Sequence, residues 1–180
     1  HITTALQSII ARNVRPQDTA VLSVTQIHGG DAYNVIPASA VMRGTVRAFS
    51  RETLTLIETR MRKIAEGIAG GMGATASLDF RVIFPPLVND ADAAQFIADC
   101  AAEIVGGDNV ARAGGLTMGA EDFAYMLEHR PGAYIQIGNG DGEGGCEVHN
   151  PGYDFNDAAL PFGASLFAMM VERKLARLER

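Results

Sequence analysis

The chain has 180 residues, of which 47% are hydrophobic and 20% charged, so its composition is that of a globular protein and excludes disordered and fibrous classes. Fifteen Lys and Arg against 21 Asp and Glu give a net charge of -6, which disfavours nucleic acid as a partner. No apolar run reaches the roughly 18 residues that a membrane span requires, and the N-terminus lacks a signal-peptide pattern. We therefore expect a cytoplasmic protein without a membrane span.

The first half of the chain alternates between helical and extended patterns. Apolar residues at spacings of three and four predict helices over 2–14 and 51–68, and Ser50 is a plausible N-cap of the second helix. Three runs of β-branched or alternating apolar residues predict the strands of one sheet, at 21–27, 41–49 and 75–83. Because both helices are amphipathic, we expect them to cover one face of that sheet in an α+β layer.

The pattern changes at Pro85-Pro86, where we predict a domain boundary. Beyond it, the sequence predicts a helix over about 90–105, a strand at Ala133–Ile137 and a final helix that Asn156-Asp157 can cap. The residues of the final helix expected to face inward are Leu160, Ala164, Phe167, Met170 and Val171.

The Gly-rich loop 138–156 is long for a compact domain, and loops of that length are usually functional or disordered. It presents His149 next to Asn150-Pro151, which suits a metal ligand or a general base. A solvated surface histidine is the alternative interpretation.

Two further groups could form a site. Asn34 and Arg47 lie on either side of a strand pattern and could face one site, where the guanidinium would suit a carboxylate, although a salt bridge on the strand surface is the commoner role. Glu121-Asp122 follows a Gly-rich turn at the start of a short helix, where helix capping is the simpler interpretation.

Taken together, several strings resemble the C-terminal half of the hippurate hydrolase or N-acyl-L-amino acid amidohydrolase family, within the di-metal aminoacylase/carboxypeptidase superfamily. They occur in the family's order and cover almost the whole chain: TALQSI, HGGDAYNVIP with GTVR, GAEDFAYM with PGAYIQIGNG, and VHNPGYDFND leading into ALPFGAS. The resemblance implies an α/β enzyme in which residues 1–84 form an α+β lid and dimerisation domain without its N-terminal edge. Residues 85–180 would be the C-terminal part of the catalytic domain.

The resemblance also implies roles for individual residues. His149 would be a metal ligand, and Asn34 a catalytic residue that holds the transition-state oxygen. Arg47 would bind the free carboxylate of an N-acyl amino acid, and Gly119 and Glu121 would line the substrate pocket. Family members hold two divalent metal ions, and the sequence does not distinguish zinc, manganese, nickel or cobalt. A homodimer through the lid is likewise implied.

The remaining metal ligands of the family and its catalytic Glu have no counterpart in the chain, which opens at His1 without Met. We therefore expect a fragment of a metal-dependent amidohydrolase that is inactive by itself, since one histidine cannot hold a water-activating metal. The alternative is a non-catalytic module for dimerisation and carboxylate binding.

Overall fold

A computed structural model describes residues 1–142 and 145–178 of the chain. These residues form two compact units. The first consists of His1–Leu87 together with Thr117–Ala124, and the second contains Val88–Leu116 and the chain from Tyr125 onward. No helix in the described part of the chain is both long and apolar enough to cross a membrane. The lid and catalytic roles of the two halves stay predictions.

The first unit is built on a hairpin and two helices: α1 (Ile2–Arg12), β1 (Ala20–His28), β2 (Val41–Ala48) and α2 (Arg51–Gly71). α2 begins where the sequence predicts, because the hydroxyl of Ser50 accepts a hydrogen bond from the Thr53 backbone N–H at 3.1 Å. α1 ends two residues earlier than its apolar pattern predicts.

The core of this unit lies on one face of the hairpin. Leu6 and Ile9 of α1 pack with Leu22 of β1 and Ile57 of α2, and both isoleucines are fully buried. Ala20 and Val24, which alternate with the other residues of β1, pack against the same cluster. Both helices therefore cover a single face, as predicted, and the cluster fixes the hairpin against them.

β1 and β2 are antiparallel, with His28 opposite Val41 at the loop end and Val21 opposite Arg47 near the other end. The register shifts between Val24 and Gln26, which marks a β-bulge. At this position the backbones come so close that a Cβ on Gly44 would lie 2.1 Å from the Ser23 carbonyl oxygen. Only glycine fits this part of the hairpin.

The predicted third strand, 75–83, is wrong: in the described part of the chain the sheet has two strands, and this segment joins neither of them. Its burial does alternate, since Ala76, Leu78 and Phe80 are half-buried between exposed neighbours. However, the Leu78 carbonyl accepts a hydrogen bond from Nη1 of Arg62 in α2, at 3.2 Å, rather than from a strand. The sequence pattern indicated the buried face correctly but not the hydrogen-bond partner.

The second unit contains α3 (Ala91–Val105) and α5 (Leu160–Leu178), while α4 (Phe123–Leu127) begins in the first unit and ends in the second. Asp90 caps α3 by accepting from the Ala93 N–H at 2.8 Å. Asn156 caps the 3₁₀ turn that leads into α5, accepting from the Ala158 N–H at 3.0 Å, as predicted.

The predicted inward face of α5 is largely wrong. Leu160, Ala164, Phe167 and Val171 are exposed, whereas Leu166 is buried and Met170, which the pattern also placed inward, is half-buried. Half-buried positions 163 and 173 continue the line of Leu166 and Met170 at spacings of three and four. This line lies about 100° from most of the predicted residues, and periodicity alone could not tell which residues pack.

The predicted strand Ala133–Ile137 is also wrong. A side chain occupies the position of a partner strand, since Asn89 accepts from the Tyr134 N–H at 2.8 Å and donates to the Tyr134 carbonyl at 3.0 Å. These two bonds satisfy the backbone at one residue only, so no ladder forms along the segment in the described structure.

Gly44→Ala tests the close approach of the two strands. We expect it to lower the free energy of unfolding by about 1–3 kcal/mol or more, because the new methyl group overlaps the Ser23 carbonyl. Urea denaturation measures the effect. Gly67→Ala is the matched control: it meets nothing within 4 Å in α2 and should stabilise by about 0.5–1 kcal/mol. Equal behaviour of the two variants would contradict the bulge geometry.

Ion pairs on α3 predict a pH dependence of stability. Arg112 contacts Asp99 at 2.8 Å, Arg173 contacts Glu103, and hydrogen bonds from these arginines hold the pKa of each carboxyl below its ordinary value. A depressed pKa in the folded state means that the stabilisation is present above the unfolded-state pKa and is lost as pH falls through the folded-state value.

We therefore expect the chain to become less stable as the pH is lowered from 7 towards 3, as measured by urea denaturation at each pH. Arg173→Met should reduce this pH dependence, because Glu103 then titrates nearer its ordinary pKa in the folded state. Arg60→Met removes an equal charge from an exposed position on α2 and serves as the control. A pH dependence equally strong in all three proteins would refute the assignment to these pairs.

Candidate functional site

The candidate residues divide between the two units. Asn34, Arg47, Gly119 and Glu121 belong to the first unit, and His149 belongs to the second. The first group is itself divided, because the hairpin separates its members.

Arg47 is exposed on β2, close to the end of the hairpin that is remote from the connecting loop. Its Nη1 donates a short hydrogen bond, 2.6 Å, to the backbone carbonyl of Met118, so Arg47 lies next to Gly119. A guanidinium has five N–H donors, and the other four have no acceptor among the described residues. The salt bridge considered as the simpler role of this arginine is therefore not formed within the described chain.

Asn34 lies in the exposed loop beyond His28 and Val41, at the opposite end of the hairpin from Arg47. The six steps from one residue to the next between Val41 and Arg47 correspond to roughly 20 Å of strand. The loop is not packed against the hairpin at Tyr33 and Ile36, which are 104% and 95% exposed. One chain thus holds Asn34 and Arg47 apart rather than bringing them to one site.

Glu121 and Gly119 lie on the segment that Arg47 contacts. The Glu121 carboxylate accepts a hydrogen bond from the Phe123 N–H at 3.3 Å, at the start of α4, which is the capping role expected as the simpler interpretation. Gly119 is exposed and has open space around its Cα, since the nearest group that a Cβ there would meet is the Thr117 hydroxyl, at 4.0 Å.

The loop that carries His149 is closed at its base by two asparagines. Asn139 accepts from the Asn156 N–H through Oδ1 at 2.7 Å, and its carbonyl accepts from Nδ2 of Asn156 at 3.0 Å. Asn139 also donates to the Asp154 carbonyl at 2.8 Å. These contacts bring the ends of the loop together in the manner of an Ω-loop. Glu143 and Gly144 of this loop lie outside the described residues.

His149 is exposed, and its backbone adopts a φ of 71°, the one non-glycine residue with a positive φ in the described part of the chain. The segment around it is ordered by local bonds: Asn150 accepts from the Gly152 N–H through Oδ1 at 2.9 Å and from the Tyr153 N–H through its carbonyl at 2.9 Å. The structure thus presents an accessible imidazole on a turn that local hydrogen bonds order, and the metal-ligand role of His149 stays a prediction.

Within residues 1–142 and 145–178, no three His, Cys, Asp or Glu side chains converge well enough to hold a metal ion. The described residues therefore do not fit a complete metal site, and His149 could supply a single ligand. The sequence had not indicated the Met118 carbonyl or Asn139. An Asn at the start of a Gly-rich loop is a weak signal for such a contact.

Residues 4–173 match peptidase family M20/M25/M40. The chain belongs to this family. It is 35% identical over 171 residues to a hippurate hydrolase of Campylobacter jejuni, covering 95% of the chain and 44% of that protein. It is also 35% identical over 167 residues to an N-acetylcysteine deacetylase of Bacillus subtilis, covering 93% of the chain and 42% of that protein.

Among solved structures, the chain resembles a dinuclear metal binding peptidase of the M20 family from Bacillus subtilis, with a TM-score of 0.71 and 29% identity. The similarity covers 93% of this chain and 44% of that one. The expected mixture of helices and strands is confirmed, as is the resemblance to amidohydrolases. The M20 chain described here spans less than half the length of these relatives.

The positive φ of His149 predicts an unusual order of stability among variants. A left-handed backbone costs an L-residue with a Cβ about 1–2 kcal/mol, partly offset by the greater entropy that glycine loses on folding. We therefore expect His149→Gly to be more stable than His149→Ala by about 0.5–1 kcal/mol, measured by thermal or urea denaturation.

The same pair at Glu147, an exposed loop residue without a positive φ, is the control. Glu147→Gly should be no more stable than Glu147→Ala. If alanine equals or exceeds glycine at His149 as well, the strained turn is not present in solution.

Proposed function

We propose that the protein carrying this chain is a metal-dependent amidohydrolase that cleaves N-acyl amino acids to a carboxylic acid and a free amino acid. The family supports the reaction class. The names of the two relatives support the substrate class, since hippurate and N-acetylcysteine are both N-acyl amino acids with a free carboxylate. The observation that carries the proposal is the exposed Arg47, whose guanidinium has no carboxylate partner among the described residues.

Arg47 would recognise the substrate's carboxylate. A guanidinium binds a carboxylate through two parallel N–H donors, and the bond to Met118 uses only one of five. The adjacent segment would form the neighbouring pocket wall at Gly119, where the absence of a side chain leaves room for the acyl amino acid. Glu121, which caps α4 by accepting from the Phe123 N–H, would line the same wall.

Two divalent metal ions are proposed for the complete protein, on the support of its dinuclear metal binding structural relative. His149 would contribute one ligand from its exposed turn. Because the described residues hold no cluster of metal ligands, the others would have to come from outside them. We accordingly propose that the chain alone does not hydrolyse amides.

Asn34 would act in a different site from the Arg47 of its own chain, because the two lie at opposite ends of the hairpin. A homodimer through residues 1–84 would allow the Asn34 loop of one copy to reach the site of the other. There the amide N–H groups would donate to the oxygen of the tetrahedral intermediate. Residues 85–180 would then belong to the catalytic domain of a cytoplasmic enzyme.

A second function applies to the chain by itself, namely a dimerisation and carboxylate-binding module without catalysis. The observation in its favour is the lack of a metal-ligand cluster among the described residues. Binding of a carboxylate at Arg47 is common to both functions, whereas hydrolysis belongs to the first alone.

Binding to the chain tests the shared part of the proposal. We expect N-benzoylglycine to bind more tightly than its carboxamide, and Arg47→Ala to abolish that preference at a cost of about 1.5–3 kcal/mol, because a charge-assisted contact is lost. Arg47→Lys should restore only part of it, since an ammonium lacks the planar fork. Titration calorimetry or NMR shift mapping measures the affinities.

Arg43, an exposed arginine on the same strand, provides the matched control as Arg43→Ala. It should leave the preference for the carboxylate intact. If wild type and Arg47→Ala distinguish carboxylate from carboxamide equally, Arg47 is not the recognition residue. Hydrolysis of N-benzoylglycine by the isolated chain with added divalent metal would contradict the proposed incompleteness of its metal site.

A further inference from the structure

The segment 111–120 has almost no hydrogen bonds of its own. Among the described residues, its backbone takes part in a single one, the 2.6 Å bond in which Arg47 donates to the Met118 carbonyl. Within the described chain, the only other polar contact of the segment is the ion pair of the Arg112 side chain with Asp99. Backbone without partners in the protein is held by little besides packing, and such segments open at low free-energy cost.

Packing adds little to this segment. Leu116 is 77% exposed, and of the residues 111–120 only Met118 is half-buried. Gly114, Gly115 and Gly119 further increase the conformational entropy that must be lost to order it. Met118, whose carbonyl accepts the bond from Arg47, is therefore also the least exposed residue of the segment.

Arg47 itself lies on a rigid support. It is paired with Val21 in the hairpin, next to Leu22 and Val46, which belong to the core cluster or pack against it. A segment with few contacts of its own is thus attached by one charge-assisted hydrogen bond to a strand that the core holds in place.

We propose that Arg47 is a positioning residue that orders the segment 111–120 through the Met118 carbonyl. Its second role rests on the proposed function: a carboxylate bound to the remaining guanidinium donors strengthens this attachment. A carboxylate bound through two N–H groups fixes the plane of the guanidinium. The Arg47 side chain has then already lost its rotamer freedom, so its hydrogen bond to Met118 requires no further loss of entropy from this side chain. Substrate binding and ordering of the pocket segment are then coupled, and the coupling is reciprocal.

Limited proteolysis with thermolysin tests the positioning role, because this protease cuts before residues such as Leu116 and Met118. We expect Arg47→Gln to be cleaved in this segment ten- to a hundredfold faster than wild type, which corresponds to the loss of one hydrogen bond from a charged group. Arg47→Lys should fall between them, since its ammonium can still donate one bond to the Met118 carbonyl.

Arg43→Gln, on the same strand, should be cleaved like wild type. Thermal unfolding by circular dichroism identifies variants that lose the fold as a whole, and the intermediate rate of Arg47→Lys separates a specific bond from general loosening. Cleavage of folded Arg47→Gln at the wild-type rate, or of Arg47→Lys at the rate of Arg47→Gln, would overturn the positioning role.

A second arm adds N-benzoylglycine or its carboxamide to wild type and follows cleavage and binding in the same samples. We expect the carboxylate, but not the carboxamide, to slow cleavage at Leu116 and Met118. If the carboxylate binds at Arg47 without slowing cleavage, the coupling is wrong and the proposed recognition stands. If it does not bind, carboxylate recognition and the coupling both fail, while the ligand-free comparison still decides the positioning role.

Discussion

The first unit depends on the burial of Ile9 and Ile57 against Leu22, since this small apolar cluster fixes two helices to one face of a two-stranded hairpin. An isolated hairpin is marginally stable in water, and the helices supply the apolar face that it needs. With one face covered, the direction of every side chain on the hairpin is set. The location of Arg47 therefore follows from the packing of the hairpin, in which its neighbour Val46 contacts this cluster.

The candidate functional residues of this M20 chain are spread over several elements. The chain belongs to a family of hydrolases, and its candidate residues lie on separate elements: the hairpin separates Asn34 from Arg47, and His149 belongs to the second unit. The described residues include no cluster of metal ligands. The proposed metal site would therefore need ligands from outside the described residues.

Local signals in the sequence predicted local structure well. The Ser50 cap, the two amphipathic helices of the first unit and the Asn156 cap all depend on residues within a few positions of each other, and the structure contains them. The predicted strands at 75–83 and Ala133–Ile137 failed because a strand requires a partner backbone. In both segments a side chain, from Arg62 or Asn89, occupies the partner's place.

In the candidate site too, contacts between residues distant in the sequence could not be predicted. The residue types and motifs indicated Arg47 and His149, but the bond from Arg47 to the Met118 carbonyl joins residues 71 positions apart, and nothing in the sequence specifies a backbone acceptor. The final helix shows another limit of prediction from sequence, because Leu166 and Phe167 are both apolar and both fit a helical period. Which line of residues packs is decided by neighbouring elements rather than by the helix itself.

The length of the hairpin sets the distance between Arg47, near one end, and the loop with Asn34, beyond the other end. Lengthening both strands by one residue would move the loop by roughly 3.3 Å. The residues beyond the insertion would turn to the opposite face of the hairpin, so the apolar ones among them would no longer face the helices. Lengthening both by two residues would keep the faces in register and move the loop by roughly 7 Å. Changes in the reach of this loop would therefore come in steps of two residues.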